Sequence, residues 1–235
     1  MKRHLIIYAK RPIAHYAKTR LGAEIGHEQA AGIYARLLYS LLLDVIDASF
    51  RDTILELAVA APADRAVFSA AFPELMVRPQ VAGGLGARMA TSFTEAFEKG
   101  ADSVVLAGSD VPGLNAALLA EAFGALEDCR CHEAIPGVIG PTVDGGYYLI
   151  GMRAPGAPLF DGIAWSTANV LAQTEALARD HRVLLTQLSK LADIDIRADY
   201  EAWRRALEKA CPSTETTALS LGGSITGAKV KRIDE

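Results

Sequence analysis

The stretch Val104-Val105-Leu106-Ala107-Gly108-Ser109-Asp110-Val111-Pro112 decides the reading of the fold. Four successive apolar residues without polar alternation suit a strand buried on both faces, the condition of strands in a parallel sheet. The run breaks at Gly108-Ser109, and a carboxylate follows at once, where open parallel sheets present their ligands. Upstream, the turn Gly83-Gly84-Leu85-Gly86 leads into a helix ending near Lys99; downstream, Asn115 is placed to cap a helix with Leu118, Leu119, Ala122, Phe123 and Leu126 on its buried stripe.

The alternation extends in both directions. Residues 5–9, Leu-Ile-Ile-Tyr-Ala, form a compact first strand that stops before Arg11-Pro12. A long helix is expected over 29–48, since Ile33, Leu37, Leu38, Leu41, Leu42 and Val45 recur at helical spacing. Strands are then expected at 54–61 and 75–78 around a helix at 63–71, and at 134–139 and 147–152 around the turn 140–146. A helix at 168–181, a strand at 183–188 and a helix from about 199 complete the series. Repeated strand, helix, strand predicts an α/β layered fold with right-handed crossovers, mostly parallel and partly mixed in the second half.

Composition sets bounds on partners. The 235 residues are 51% hydrophobic and 22% charged, enough for one core domain, expected over residues 1–211. Beyond Pro212 the chain turns to Ser, Thr and Gly and reads as an appended tail, 212–235. A net charge of −4 gives no basic field for nucleic acid. No stretch is long enough to span a membrane, and the apolar run 5–9 is too brief for a signal-peptide core. Cys129, Cys131 and Cys211 match neither a redox nor a zinc spacing and fit reduced thiols in a cytoplasmic protein. The histidines at 4, 15, 27, 132 and 181 show no zinc-binding pair, and no G-x-S-x-G elbow is present.

Five groups could carry chemistry. Arg11, Lys18 and Arg20 follow the first strand, and a mixture of forked and mobile cations suits a polyphosphate, although a solvated loop has the same composition. Asp110 is placed as a Mg²⁺ or Mn²⁺ ligand that leaves the remaining positions to substrate phosphates, or as the organiser of a turn. Gln80, Gly83, Gly84, Gly86 and Arg88 form a glycine-rich helix entry that lets a ligand approach the backbone or simply packs. Asp144-Gly145-Gly146 is a close-approach turn or a hairpin. Asp193 and Asp195 alternate toward one face, as metal ligands or as caps of the next helix. Trp165-Ser166-Thr167 is sufficiently explained as a helix entry.

Taken in order, Lys10-Arg11-Pro12 through Lys18-Thr19-Arg20-Leu21, Gln80 through Gly86-Ala87-Arg88-Met89, Gly108 through Gly113, Asp144 through Gly151, Trp165-Ser166-Thr167 and Asp193-Ile194-Asp195 resemble an uncharacterised bacterial glycosyltransferase family. That family is often associated with radical-SAM and selenium-related genes, and the blocks cover residues 5–205. It is similar to the nucleotide-diphospho-sugar transferase superfamily, which also holds nucleotidyltransferases. The resemblance implies a GT-A-like three-layer α/β/α sandwich and transfer of a sugar from a nucleotide sugar to an unknown small-molecule acceptor. It further implies that Arg11, Lys18 and Arg20 bind phosphate, that Gln80, Gly83, Gly86 and Arg88 contact the nucleotide, that Asp110 and Asp195 hold Mg²⁺ or Mn²⁺, and that Lys18 and Asp144 act in catalysis. Nucleotidyl transfer from a nucleoside triphosphate, with pyrophosphate release, uses the same residue types and stays open. So does a nucleotide-binding module without turnover, because the family usually has a glycine where His15 stands and an acidic residue where Gly84 stands.

Overall fold

A computed structural model describes residues 1–48, 50–128, 133–154 and 158–210. The three cysteines and the expected tail lie outside the described residues.

Seven strands form one sheet in the order β3-β2-β1-β4-β6-β5-β7. They are β1 (Arg3–Ala9), β2 (Thr53–Val59), β3 (Met76–Pro79), β4 (Ser103–Ala107), β5 (Ile135–Pro141), β6 (Tyr147–Met152) and β7 (Val183–Gln187). β1 lies between β2 and β4 and is parallel to both, with Leu5 opposite Leu55 on one side and Val105 on the other. Every residue of β4 is buried, as expected for a strand covered on both faces. The mixed part is β6, which runs antiparallel to both β4 and β5.

Strand alternation divides the core into two layers. Leu5, Ile7 and Ala9 face helices α2 (His27–Asp47), α3 (Asp64–Ala71) and α5 (Ala116–Asp128), where Tyr34, Leu38, Phe68, Leu119 and Phe123 are buried with them. Ile6 faces the other way, toward α4 (Leu85–Glu98) and α6 (Val170–Asp180), and packs in one cluster with Met89, Phe93, Phe160 and Ala178. This is the expected α/β/α sandwich. Asn115 does cap α5, accepting from the Leu118 amide at 2.9 Å.

Two expectations need correction. The segment after β1 is not loop throughout: its second half is α1 (Thr19–Ile25), which with α7 (Arg197–Ala210) closes a small third cluster around Leu21, Ala30, Ile33 and Ile194. Seven residues with only two buried positions give too weak a period to read as a helix. Secondly, α2 is long and apolar enough to cross a membrane by length and composition. Nine of its 21 residues are instead buried against the sheet and neighbouring helices, which accounts for its apolar character.

Phe93 is fully buried between the rings of Phe97 and Phe160. Phe93→Ala is expected to lower stability by about 3–5 kcal/mol in urea unfolding, because this face cannot collapse around the space left.

Candidate functional site

β1 and β4 end side by side at the carboxyl edge of the sheet, and polar residues fasten the junction. The Ser109 hydroxyl donates to the Tyr8 carbonyl at 2.8 Å, which leaves its oxygen to accept from Tyr34 at 2.8 Å. The Tyr34 oxygen in turn accepts the Lys10 amide at 3.0 Å. Burial pushes the Tyr34 phenol up to about 12, so it stays protonated as this chain requires. Tyr34 lies at a core position of α2 and Ser109 in a turn, and their pairing was not readable from either segment.

Beyond this junction opens a cavity of about 730 Å³, in the range of small-molecule sites. Its walls include Lys10, Lys18 and Arg20 from the segment after β1, Gln80 and Arg88 from the entry to α4, Asp110 after β4, Asp144 between β5 and β6, and Asp195 before α7. Seven of the sequence-predicted site residues are therefore gathered around one space: Lys18, Arg20, Gln80, Arg88, Asp110, Asp144 and Asp195. Arg11, Gly83 and Gly86 do not line it. Arg11 is half-buried one residue beyond Lys10, which takes its place in the wall. Gly86 is buried where any Cβ would overlap the Phe160 carbonyl and the Trp165 indole, so its smallness serves close packing of α4.

The centre of the cavity is an ion bridge. Lys18 Nζ donates to Asp110 Oδ2 at 2.8 Å and to Asp195 Oδ1 at 3.0 Å. The lysine side chain is 5% exposed and each carboxylate 44%, so the ammonium sits beneath two half-open acids. Burial disfavours its charge, but Asp110 and Asp195 outweigh that penalty and hold the lysine above its ordinary value. Each carboxylate keeps one oxygen that Lys18 does not use. Among the described residues, no three acidic, histidine or cysteine side chains form a metal cage. The two oxygens that Lys18 leaves open are the donor type a hard divalent cation takes, with phosphate and water for its other positions.

On the wall containing Gln80, its Nε2 donates to the Ala58 carbonyl and its Oε1 accepts from Arg88 Nη1, both at 2.8 Å, fixing the amide orientation. Between β5 and β6, Asp144 Oδ1 accepts from the Thr142 hydroxyl and the Gly146 amide, leaving Oδ2 for another partner. Gly145 has φ +90°, and a Cβ there would overlap the Ala168 carbonyl. The turn thus rests directly on Ala168, which lines the same cavity together with Ser166 and Thr167. Ser166 is itself at φ +64°, an unusual conformation for a non-glycine residue.

The two departures from the family pattern behave differently. His15 has φ +63°, so this position does require the left-handed region that glycine adopts freely. Its ring stacks on His27 at 3.9 Å between centroids. Gly84 is extended, with φ −68°, and imposes no such demand.

The family model described as "Uncharacterized protein conserved in bacteria (DUF2064)" matches residues 47–167. A solved structure from Desulfovibrio desulfuricans G20, provisionally identified as a nucleotide-diphospho-sugar transferase, is similar over 99% of this chain and 95% of its own, at 29% identity and a TM-score of 0.79. A protein from Mycobacterium sp. strain JC1 shares the fold at 16% identity and a TM-score of 0.52, covering 89% of this chain and 98% of its own. CMP:2-keto-3-deoxy-manno-octonic acid synthetase, solved with CTP, does so at 12% identity and a TM-score of 0.50, covering 89% and 100%. No curated protein matches the chain. The fold is that of the nucleotide-diphospho-sugar transferases.

Asp193 is half-buried beside this site, and burial, then the charges of Asp144 and Asp195, push its carboxyl up to about 6. The folded protein thus holds a proton that the unfolded chain releases from its ordinary value of 3.8 upward, so the group costs stability above pH 6 and the cost fades on acidification. After discounting for solvent, the cost is about 1 kcal/mol. Asp193→Asn is expected to raise Tm by about 2–4 °C at pH 8 in the presence of EDTA, with the gain gone near pH 4, read by calorimetry.

Proposed function

The chain belongs to the bacterial family DUF2064, and we propose that it is a metal-dependent nucleotide-diphospho-sugar transferase that moves a sugar from a nucleotide sugar to a small-molecule acceptor. The observation that carries this reading is the convergence of Lys18, Asp110 and Asp195 at one point of a cavity that also contains Asp144. The likeness to the Desulfovibrio structure supports it.

In this reading Asp110 and Asp195 would hold Mg²⁺ or Mn²⁺, whose chemistry is to neutralise the diphosphate and stabilise it as a leaving group. Lys18 and Arg20 bind the phosphates as point charge and fork, with Lys10 beside them. Gln80 and Arg88, already locked to each other, contact the nucleoside. Asp144 Oδ2 accepts the proton of the acceptor hydroxyl as that oxygen bonds the anomeric carbon. The bond from that carbon to the diphosphate breaks, and the nucleoside diphosphate leaves with the electron pair. Tyr147, Tyr148 and Trp165 line the cavity and limit water at the reacting carbon.

The meeting of Asp110 and Asp195 also favours a second reading, nucleotidyl transfer, in which the pair aligns an acceptor phosphate with the α-phosphate of a nucleoside triphosphate and pyrophosphate departs. A cytoplasmic setting is compatible with both.

Thermal-shift titration with nucleotide sugars and nucleoside triphosphates, each with Mg²⁺ or Mn²⁺, tests the pair of readings. Nucleotide sugars are expected to raise Tm by several degrees in a metal-dependent way, and Asp110→Ala is expected to abolish the metal-dependent part. Retention of that part at wild-type strength overturns the metal assignment, and a preference for triphosphates selects the second reading.

A further inference from the structure

The cavity contains four cations, and only one is committed to the carboxylate pair. Arg88 is tied to Gln80, and Lys10 Nζ lies 5.9 Å over the Tyr16 ring. Lys18 instead bonds both Asp110 and Asp195, residues 92 and 177 positions away in the chain. Its backbone is held at φ 47° and ψ 47°, at the residue before α1, a conformation that L-residues with a side chain adopt at a cost. That geometry points the four-carbon stem down into the carboxylate pair.

We propose that Lys18 is a tethered cation that fills the Asp110 and Asp195 pair in the free protein and holds off a divalent ion until an anionic ligand draws the ammonium away. The charge count gives the reason. Two carboxylates alone present −2 to an arriving cation, whereas the pair with Lys18 presents −1 and has two of its four oxygens engaged. The carboxylates are half-open to the cavity and the ammonium is not, so a metal approaching from the cavity meets repulsion from a charge it cannot displace into water without help. A polyphosphate supplies that help, because a lysine stem is flexible enough to leave one anion for another while its anchor stays in the phosphate-binding wall. The release step rests on the transferase reading given above. The consequence is positive coupling between metal and phosphate ligand, and linkage makes it reciprocal.

Mn²⁺ alone is the probe that isolates Lys18, followed by electron paramagnetic resonance or calorimetry on the full chain. Wild type is expected to bind Mn²⁺ weakly, and Lys18→Met at least tenfold more tightly. Equal or weaker affinity in the variant overturns the proposal. Stability gives a second readout that survives partial loss of fold: without metal, Lys18→Met is expected to melt below wild type because two neighbouring acids lose their counter-charge. Mn²⁺ is expected to raise its Tm by more than that of wild type, and an equal rise in both proteins also overturns the proposal. Adding inorganic pyrophosphate separates the two claims. It is expected to tighten Mn²⁺ on wild type by a larger factor than on Lys18→Met, which has no ammonium to release; an equal factor in both overturns the release step. Failure of pyrophosphate to bind either protein overturns the transferase reading and the release step, while the comparison with Mn²⁺ alone still decides whether Lys18 occupies the pair.

Discussion

The parallel pairing of β1 with β4 is the constraint on which the site depends. Its register sets Ile7 beside Ala107, so the chain leaves both strands at the same edge and must turn there twice within a few ångströms. Two peptide segments leaving one edge bring unpaired backbone groups together, and the Tyr34 and Ser109 hydroxyls satisfy them in series. Once the junction is fastened, the residues just beyond it, Lys18 on one exit and Asp110 on the other, have little choice about meeting.

The central sheet was legible because its strands are buried on both faces. Val104 to Ala107 and Leu5 to Ala9 announce themselves as unbroken apolar runs, a pattern that solvent-facing strands do not show. The boundaries moved by one or two residues where polar ends, such as Arg3 and Ser103, join the hydrogen-bond ladder despite their composition. α1 was missed because it is short and buries only Leu21 and Gly22, packing on the adjacent α2 and, from far along the chain, on α7 and Ile194. Two buried positions in seven residues carry too little periodicity to read.

The candidate site was legible residue by residue and illegible as an arrangement. Placement after buried strands marked Asp110 as a residue at the ligand-facing edge, and clustering of unlike cations marked the loop before α1. Neither signal could show that Lys18 reaches two acids at once, since the second acid arrives on a segment after β7. Glycine was the least reliable marker. Gly83 and Gly86 suggest ligand approach by type, yet Gly86 is small because the Trp165 indole lies against it. Gln80 and Arg88, a few residues to either side, are the ones that reach the cavity.

The contact of Gly145 with the Ala168 carbonyl leaves no room for slippage between the hairpin and the entry to α6, and the Leu171 amide donates to the Gly145 carbonyl at 2.9 Å to seal it. Hairpin and helix entry therefore form a single piece of masonry along one flank of the cleft. A bulkier ligand cannot be admitted by bending the hairpin alone; the whole flank has to shift with α6. Relatives whose clefts differ in size along this flank are thus expected to differ in both strips together, in correlated exchanges rather than isolated ones.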